Sequence, residues 1–187
     1  SIPNMEAYSK ITPFLGMHFE HTYFLNECNI NYIFNINNFK IINKGYFNKH
    51  SIFYHVKKGK TDIISTNVIK EYNMTFLYLF HEKIEYFKNL VENINNKIKN
   101  KNNIFLFGCN SNTQFLIYMK LNISNITCIL DNDTSKHNKF FYGSSLISKF
   151  PNIIKEIDNP MIICYIGSYN KEVQLQLKTI NKNVIFL

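Results

Sequence analysis

The sequence predicts an α/β protein: a small Rossmann-like parallel sheet at the C-terminus, preceded by a long helix and, before that, one helix with two antiparallel strands. Three observations predict it. Apolar runs at residues 104–107, 126–130 and 161–166 each end in a glycine or an acidic turn, as strands buried on both faces do. Segments with helical spacing follow the first and third of these runs. That gives strand–helix–strand units and, by the right-handed crossover preference, a parallel sheet. Upstream, apolar residues from Ile69 to Ile98 step by threes and fours without a break, the pattern of one long helix.

In chain order, residues 1–21 read as irregular, broken by Pro3, Pro13 and Gly16. A helix is expected over residues 22–35, with Thr22 as N-cap, because Tyr23, Phe24, Cys28, Tyr32 and Ile36 keep helical spacing. Residues 39–46 and 51–56 read as strands rich in β-branched and aromatic residues, the second stopped by Lys57-Lys58-Gly59-Lys60. Their closeness in sequence makes them an antiparallel pair. The long helix follows, about 45 Å at 1.5 Å per residue, and ends in the polar linker Asn100-Lys101-Asn102-Asn103. Beyond it come a strand over 104–107, a helix over 113–121, strands at 126–130 and 161–166, a helix over 170–180 and a last strand at 184–187. Three regions result: 1–60, a connecting helix and linker at 61–103, and 104–187.

Composition narrows the function classes. With 187 residues, 45% hydrophobic and 18% charged, the chain is long enough for one large or two small folded domains. No apolar run approaches the roughly 18 residues of a membrane span. Residues 1–6 lack a basic region followed by an apolar core, so no secretory leader is expected there and a cytoplasmic protein is. Cys28, Cys109, Cys128 and Cys164 lie far apart with no CxxC pair, which argues for buried free thiols in a reducing compartment and against a metal site. The net charge of +8 comes from 21 lysines and no arginine. Specific nucleic-acid readout would lack its bidentate fork. The lysines are scattered apart from Lys97, Lys99 and Lys101, so weak nonspecific binding stays open while a dedicated nucleic-acid function is not expected.

The densest chemistry is His18-Phe19-Glu20-His21-Thr22-Tyr23-Phe24. A histidine beside a glutamate suits proton removal near neutral pH, because the carboxylate fixes the ring tautomer and raises its basicity. A polar loop with an aromatic anchor is the plainer reading. Three further sets fall at carboxyl ends of the expected parallel strands, where ligands bind in such sheets. Gly108-Cys109-Asn110-Ser111-Asn112 can offer backbone N–H groups to a phosphate, or be an ordinary strand-to-helix turn. Asp131-Asn132-Asp133 with Lys136 can accept ribose hydroxyls, or form a turn cluster. Gly167-Ser168-Tyr169-Asn170 reads best as a capped helix start. His50-Ser51 opens the second strand, as substrate-facing groups or as a solvated strand start. His55, His81 and His137 have no close acidic or cysteine partner in sequence and read as surface or packing residues.

Together these residues resemble the C-terminal half of a class I S-adenosylmethionine-dependent methyltransferase, of the type that methylates carbon in nucleotide-linked sugars. Ile2-Pro3-Asn4-Met5 looks like the end of that family's fifth strand, and residues 1–60 like a remnant of its sheet. His18-Phe19-Glu20-His21 looks like its "HEH" segment, with His18 where tyrosine is usual. His50-Ser51 matches a His-Gly-Gly-Ser region without the glycines. Gly108-Cys109, Asp131-Asn132-Asp133, Lys136 and Phe141-Tyr142-Gly143-Ser144 follow the pattern of its C-terminal domain.

The resemblance implies His21 as general base with Glu20 orienting or polarising it. It implies contacts to a nucleotide-sugar substrate from His18, Tyr23, His50, Ser51, Gly108, Cys109, Asn110, Ser111, Asp131, Asn132, Lys136 and Tyr142. The implied product belongs to surface polysaccharide biosynthesis. The methyl-donor site of the family lies upstream of Ile2, so no S-adenosylmethionine site is expected here. The chain is then expected to be a piece of a longer protein, or a partner supplies the missing half; the piece is favoured. A homodimer through the exposed side of the long helix and simple core packing are both open. The alternative is a noncatalytic nucleotide-sugar-binding or assembly module.

Overall fold

The computed structural model describes residues 1–7, 25–47, 51–60 and 66–187. It shows an α/β chain that divides into two compact units, Ser1–Glu85 and Tyr86–Leu187.

The first unit contains β1 (Ile2–Pro3), α1 (Glu27–Ile36), β2 (Phe39–Phe47), β3 (Ser51–Lys58) and the start of α2 (Thr66–Ile98). Its strands form one antiparallel sheet in the order β1-β3-β2. The expected hairpin is there, and its second strand also pairs with β1, Ile2 opposite Ile52 and Pro3 opposite Ser51. β3 runs two residues past its expected end, because Lys57 and Lys58 stay paired with Lys40 and Phe39. A bulge between Ile41 and Asn43 bends β2.

α1 begins later than the sequence predicts, and Thr22 lies outside the described residues. The reason is a stronger start signal. Asn26 accepts from Asn29 N–H at 2.8 Å, and Asn29 Oδ1 accepts from Asn26 N–H at 3.2 Å, a reciprocal capping box. Both amides also donate to Asn73 on α2, at 2.9 and 3.1 Å. Glu27, in the first turn of α1, accepts from Lys44 Nζ at 2.5 Å and Tyr46 hydroxyl at 2.6 Å, which fastens α1 to β2. Ile52, Tyr54 and Val56 alternate onto this inner face, where Phe34 packs edge-on against Tyr54 at 5.4 Å.

The second unit contains the rest of α2, β4 (Ile104–Phe107), α3 (Ser111–Tyr118), β5 (Ile126–Leu130), β6 (Ser148–Lys149), β7 (Met161–Cys164), α4 (Asn170–Ile180) and β8 (Ile185–Phe186). All five strands are parallel, in the order β6-β5-β4-β7-β8. This is the Rossmann-like sheet the apolar runs predict, with β6 as an additional edge strand. β4 is buried along its whole length.

Alternate residues of the central strands feed two core layers, as a sheet covered on both sides requires. Ile104, Leu106, Ile129 and Ile163 meet Val91, Ile94 and Ile98 of α2 and Leu116 of α3. Phe105, Phe107, Cys128, Leu130 and Ile162 meet Val173 and Leu177 of α4. The expected helical stripe of α2 is therefore buried at Phe87, Val91, Ile94 and Ile98, in the second unit. α3 starts at Ser111, two residues before its expected start, because Asn110 caps it. It stops early, where Lys120 takes a left-handed φ of 72°.

Candidate functional site

The chain enters the parallel sheet at β4, moves outward through β5 to β6, and returns to β7 on the other side of β4. The winding direction reverses between β4 and β7. In open sheets of this kind ligands bind outside the carboxyl ends of the strands near that reversal.

The residues there form a closed knot around Asp131, a buried carboxylate at the end of β5. Asp131 Oδ2 accepts Cys109 N–H at 2.6 Å, and Oδ1 accepts Asp133 N–H at 2.8 Å. The half-exposed Lys136 ammonium lies 3.3 Å from Asp131 Oδ2, 3.3 Å from the Cys109 carbonyl and 3.8 Å from Asp133 Oδ2. His137 closes the knot from below: its Nε2–H donates to the Asp131 carbonyl at 2.8 Å and its ring packs on Phe150. Asp133 caps the 3-10 turn Thr134–Lys136, and the bonds from Ser135 hold its carboxyl below the usual range. Burial pushes the Cys109 thiol up; a hydrogen bond to Ser148 opposes that rise and the Asp131 charge adds to it.

Gly108 turns the chain out of β4 with φ +96°. A Cβ there would lie 2.6 Å from Asn110 Nδ2 and 2.8 Å from Ile166 Cγ2, so only glycine fits. Asn110 Oδ1 then accepts from Asn112 N–H and Thr113 N–H at 3.0 and 3.2 Å, capping α3. Thr113 Oγ1 donates to the Gly108 carbonyl at 2.5 Å, locking helix to strand end.

These bonds decide which donors a ligand can use. The amides of Cys109, Asn112 and Thr113 are spent on protein acceptors. Those of Asn110 and Ser111 have no protein acceptor among the described residues. Two free N–H groups at a helix N-terminus beside a half-exposed ammonium make a site for an anionic group.

The structure thus gathers Gly108, Cys109, Asn110, Ser111, Asp131 and Lys136. It does not gather Asn132 or Tyr142. Asn132 exchanges amide hydrogen bonds with Gln176 of α4 at 2.9 and 2.8 Å. Tyr142 is 83% exposed at the tip of a turn where Gly143 has φ +76°, and no hydrogen bond among the described residues joins it to the knot. Ser51 opens β3, paired with Pro3 on one side and Phe47 on the other. His18, Glu20, His21, Tyr23 and His50 lie outside the described residues. Asn170, from the third glycine turn, accepts Ile166 N–H at 2.6 Å, the capping role expected there.

Sequence reasoning did not single out Thr113 and read His137 as a surface or packing residue; it does pack on Phe150, and it also bonds the Asp131 carbonyl. A threonine in the first turn of a helix that follows a strand-end glycine was a usable signal for the first. Nothing local marks His137, whose partner is a carbonyl six residues back.

All four cysteines are free; Cys128 and Cys164 are buried and Cys28 and Cys109 are half-buried. Among the described residues, no group of three His, Cys, Asp or Glu side chains is placed to hold a metal ion, and no helix is long and apolar enough to cross a membrane. At the end of β5 the Asp131 carboxylate accepts from Cys109 and Asp133 N–H groups and from Lys136, and Ile166 and Asn110 crowd the space over Gly108. No protein-family model matches the sequence, and no curated protein matches it.

Proposed function

We propose that this chain is the C-terminal part of an S-adenosylmethionine-dependent methyltransferase acting on a nucleotide-linked sugar, for surface polysaccharide biosynthesis. The observation that carries the reading is the Asp131–Cys109–Lys136 knot beside the free amides of Asn110 and Ser111, at the carboxyl ends of a parallel sheet. In this reading the diphosphate of the substrate takes those two N–H groups and the Lys136 ammonium. Gly108 and Asp131 set the geometry and do not touch it. The first unit supports the same reading. Its β1 joins the hairpin in one sheet, as the end of a larger methyltransferase sheet would.

His21 then acts as the base, removing a proton alpha to a keto group or from a hydroxyl, while Glu20 orients it. The resemblance gives His18, Tyr23, His50 and Ser51 of the first unit contacts to the sugar. The methyl donor is held by a half that these residues do not supply, so the chain by itself is inactive. A cytoplasmic location and the absence of a sequence-specific nucleic-acid partner or a membrane partner belong to the same reading.

Two titrations of the chain test it. A pyrimidine diphosphate-sugar should bind and S-adenosylmethionine should not. In the complete protein His21→Ala should lower kcat by a factor of roughly 10² or more. Near-normal turnover in that variant would remove His21 from the mechanism, and a complete protein that binds the nucleotide sugar without any turnover would favour the noncatalytic binding module. No binding of any nucleotide sugar would remove both readings.

A further inference from the structure

The outer face of the antiparallel sheet in the first unit carries a second binding feature. Side chains directly opposite across an antiparallel ladder share a face, and alternate residues change face. Ile52, Tyr54 and Val56 point inward, so Phe53, His55 and Lys57 point outward, opposite Gly45, Asn43 and Lys40. Phe47 joins the same face opposite Ser51.

Three features of this face are unusual for a surface left to water. Phe53 and Phe47 are 51% and 59% exposed. Gly45, directly across from Phe53, has nothing within 4 Å of where a Cβ would stand, so the sheet surface across from Phe53 is open. Two rungs along, Lys40 faces Lys57. Like charges directly opposite on a sheet destabilise it, and no carboxylate from the described strands lies on this face to offset the pair.

We propose that this face binds single-stranded nucleic acid without sequence preference, stacking a base against Phe53 over Gly45 and setting phosphates on Lys40 and Lys57. An exposed aromatic on an open face with lysines and no carboxylate from its strands is the combination such strands use. The lack of arginine removes base-specific readout and leaves stacking and charge intact. The face thus gives a location to part of the net charge of +8, and the proposal does not depend on the nucleotide-sugar reading.

The test is fluorescence anisotropy of an end-labelled oligothymidylate of about 12 nucleotides with the full chain, over a salt series. Phe53→Ala should weaken binding at least about fivefold at unchanged salt slope. Lys57→Gln should reduce the slope by about 0.7, the value for one phosphate contact on a single strand. Both side chains are exposed, and a thermal melt checks that each variant stays folded. No binding at low salt overturns the proposal, as does binding that both variants leave unchanged. Free thymidine triphosphate competing as well as the oligomer would assign the face to a mononucleotide. Self-association that Phe53→Ala abolishes would assign the face to a second copy. Either result contradicts the proposal.

Discussion

Asp131 accepts the backbone N–H of Cys109 at 2.6 Å, and this bond ties the end of β5 to the turn that leaves β4. The two residues are 22 apart in sequence, and the bond sets the shape of the turn that presents Asn110 and Ser111. Replacing Asp131 by Ala leaves the part-buried Cys109 amide without its acceptor and frees Lys136 from its closest charge. The unmet amide alone is worth about 1–3 kcal/mol. Asp131→Ala should lose stability of that order in urea denaturation, and Asp131→Asn, which keeps one acceptor oxygen, should lose less.

Gly108 and Gly45 make a matched pair of substitutions. Gly108→Ala meets Asn110 and Ile166 inside 3.0 Å at a left-handed backbone, whereas Gly45→Ala meets open space. The first should be destabilising by more than about 1 kcal/mol and the second close to neutral. Comparison of the two thermal midpoints checks this.

Glu27 predicts a pH dependence. Burial pushes its carboxyl up, but the hydrogen bonds from Lys44 and Tyr46 outweigh that and leave it below its ordinary value near 4.5. A carboxyl depressed in the fold binds fewer protons there than in the unfolded chain. Its stabilising contribution is therefore present above its unfolded value and is lost as pH falls through the folded one. Wild-type protein should lose more stability than Glu27→Gln between about pH 5 and about pH 3. Equal losses would show that the α1 anchor is not electrostatic.

The cysteines separate by burial. Cys128 and Cys164 are buried, and burial pushes their thiols up to about 11 and about 12. Only the thiolate alkylates quickly. Iodoacetamide should therefore label Cys28 and Cys109 in the native protein and reach Cys128 and Cys164 only on unfolding. A bound nucleotide sugar should slow labelling of Cys109 and leave Cys28 unchanged.

The parallel sheet was legible because burial on both faces leaves a strand no choice but continuous apolar residues, as Ile104–Phe107 shows. β6 was not, because Ser148 and Lys149 pair through backbone alone and carry no pattern. The start of α1 was misplaced because Thr22 is a good cap by type, whereas Asn26 caps by reciprocity with Asn29, which only geometry reveals. At the site, residue types pointed to Gly108, Asp131 and Lys136. They could not say that Asp131 is consumed by the protein's own donors, or that Asn132 turns away to Gln176. Those outcomes depend on long-range pairing, which a single sequence does not carry.

The most direct measurement of the central claim is an amide NMR titration of the chain with a pyrimidine diphosphate-sugar. The account predicts that the N–H signals of Asn110 and Ser111 move first, together with those of Cys109 and Lys136, and that Lys136→Ala weakens the binding. Saturable binding that leaves these four amides still, or no binding at all, would contradict it.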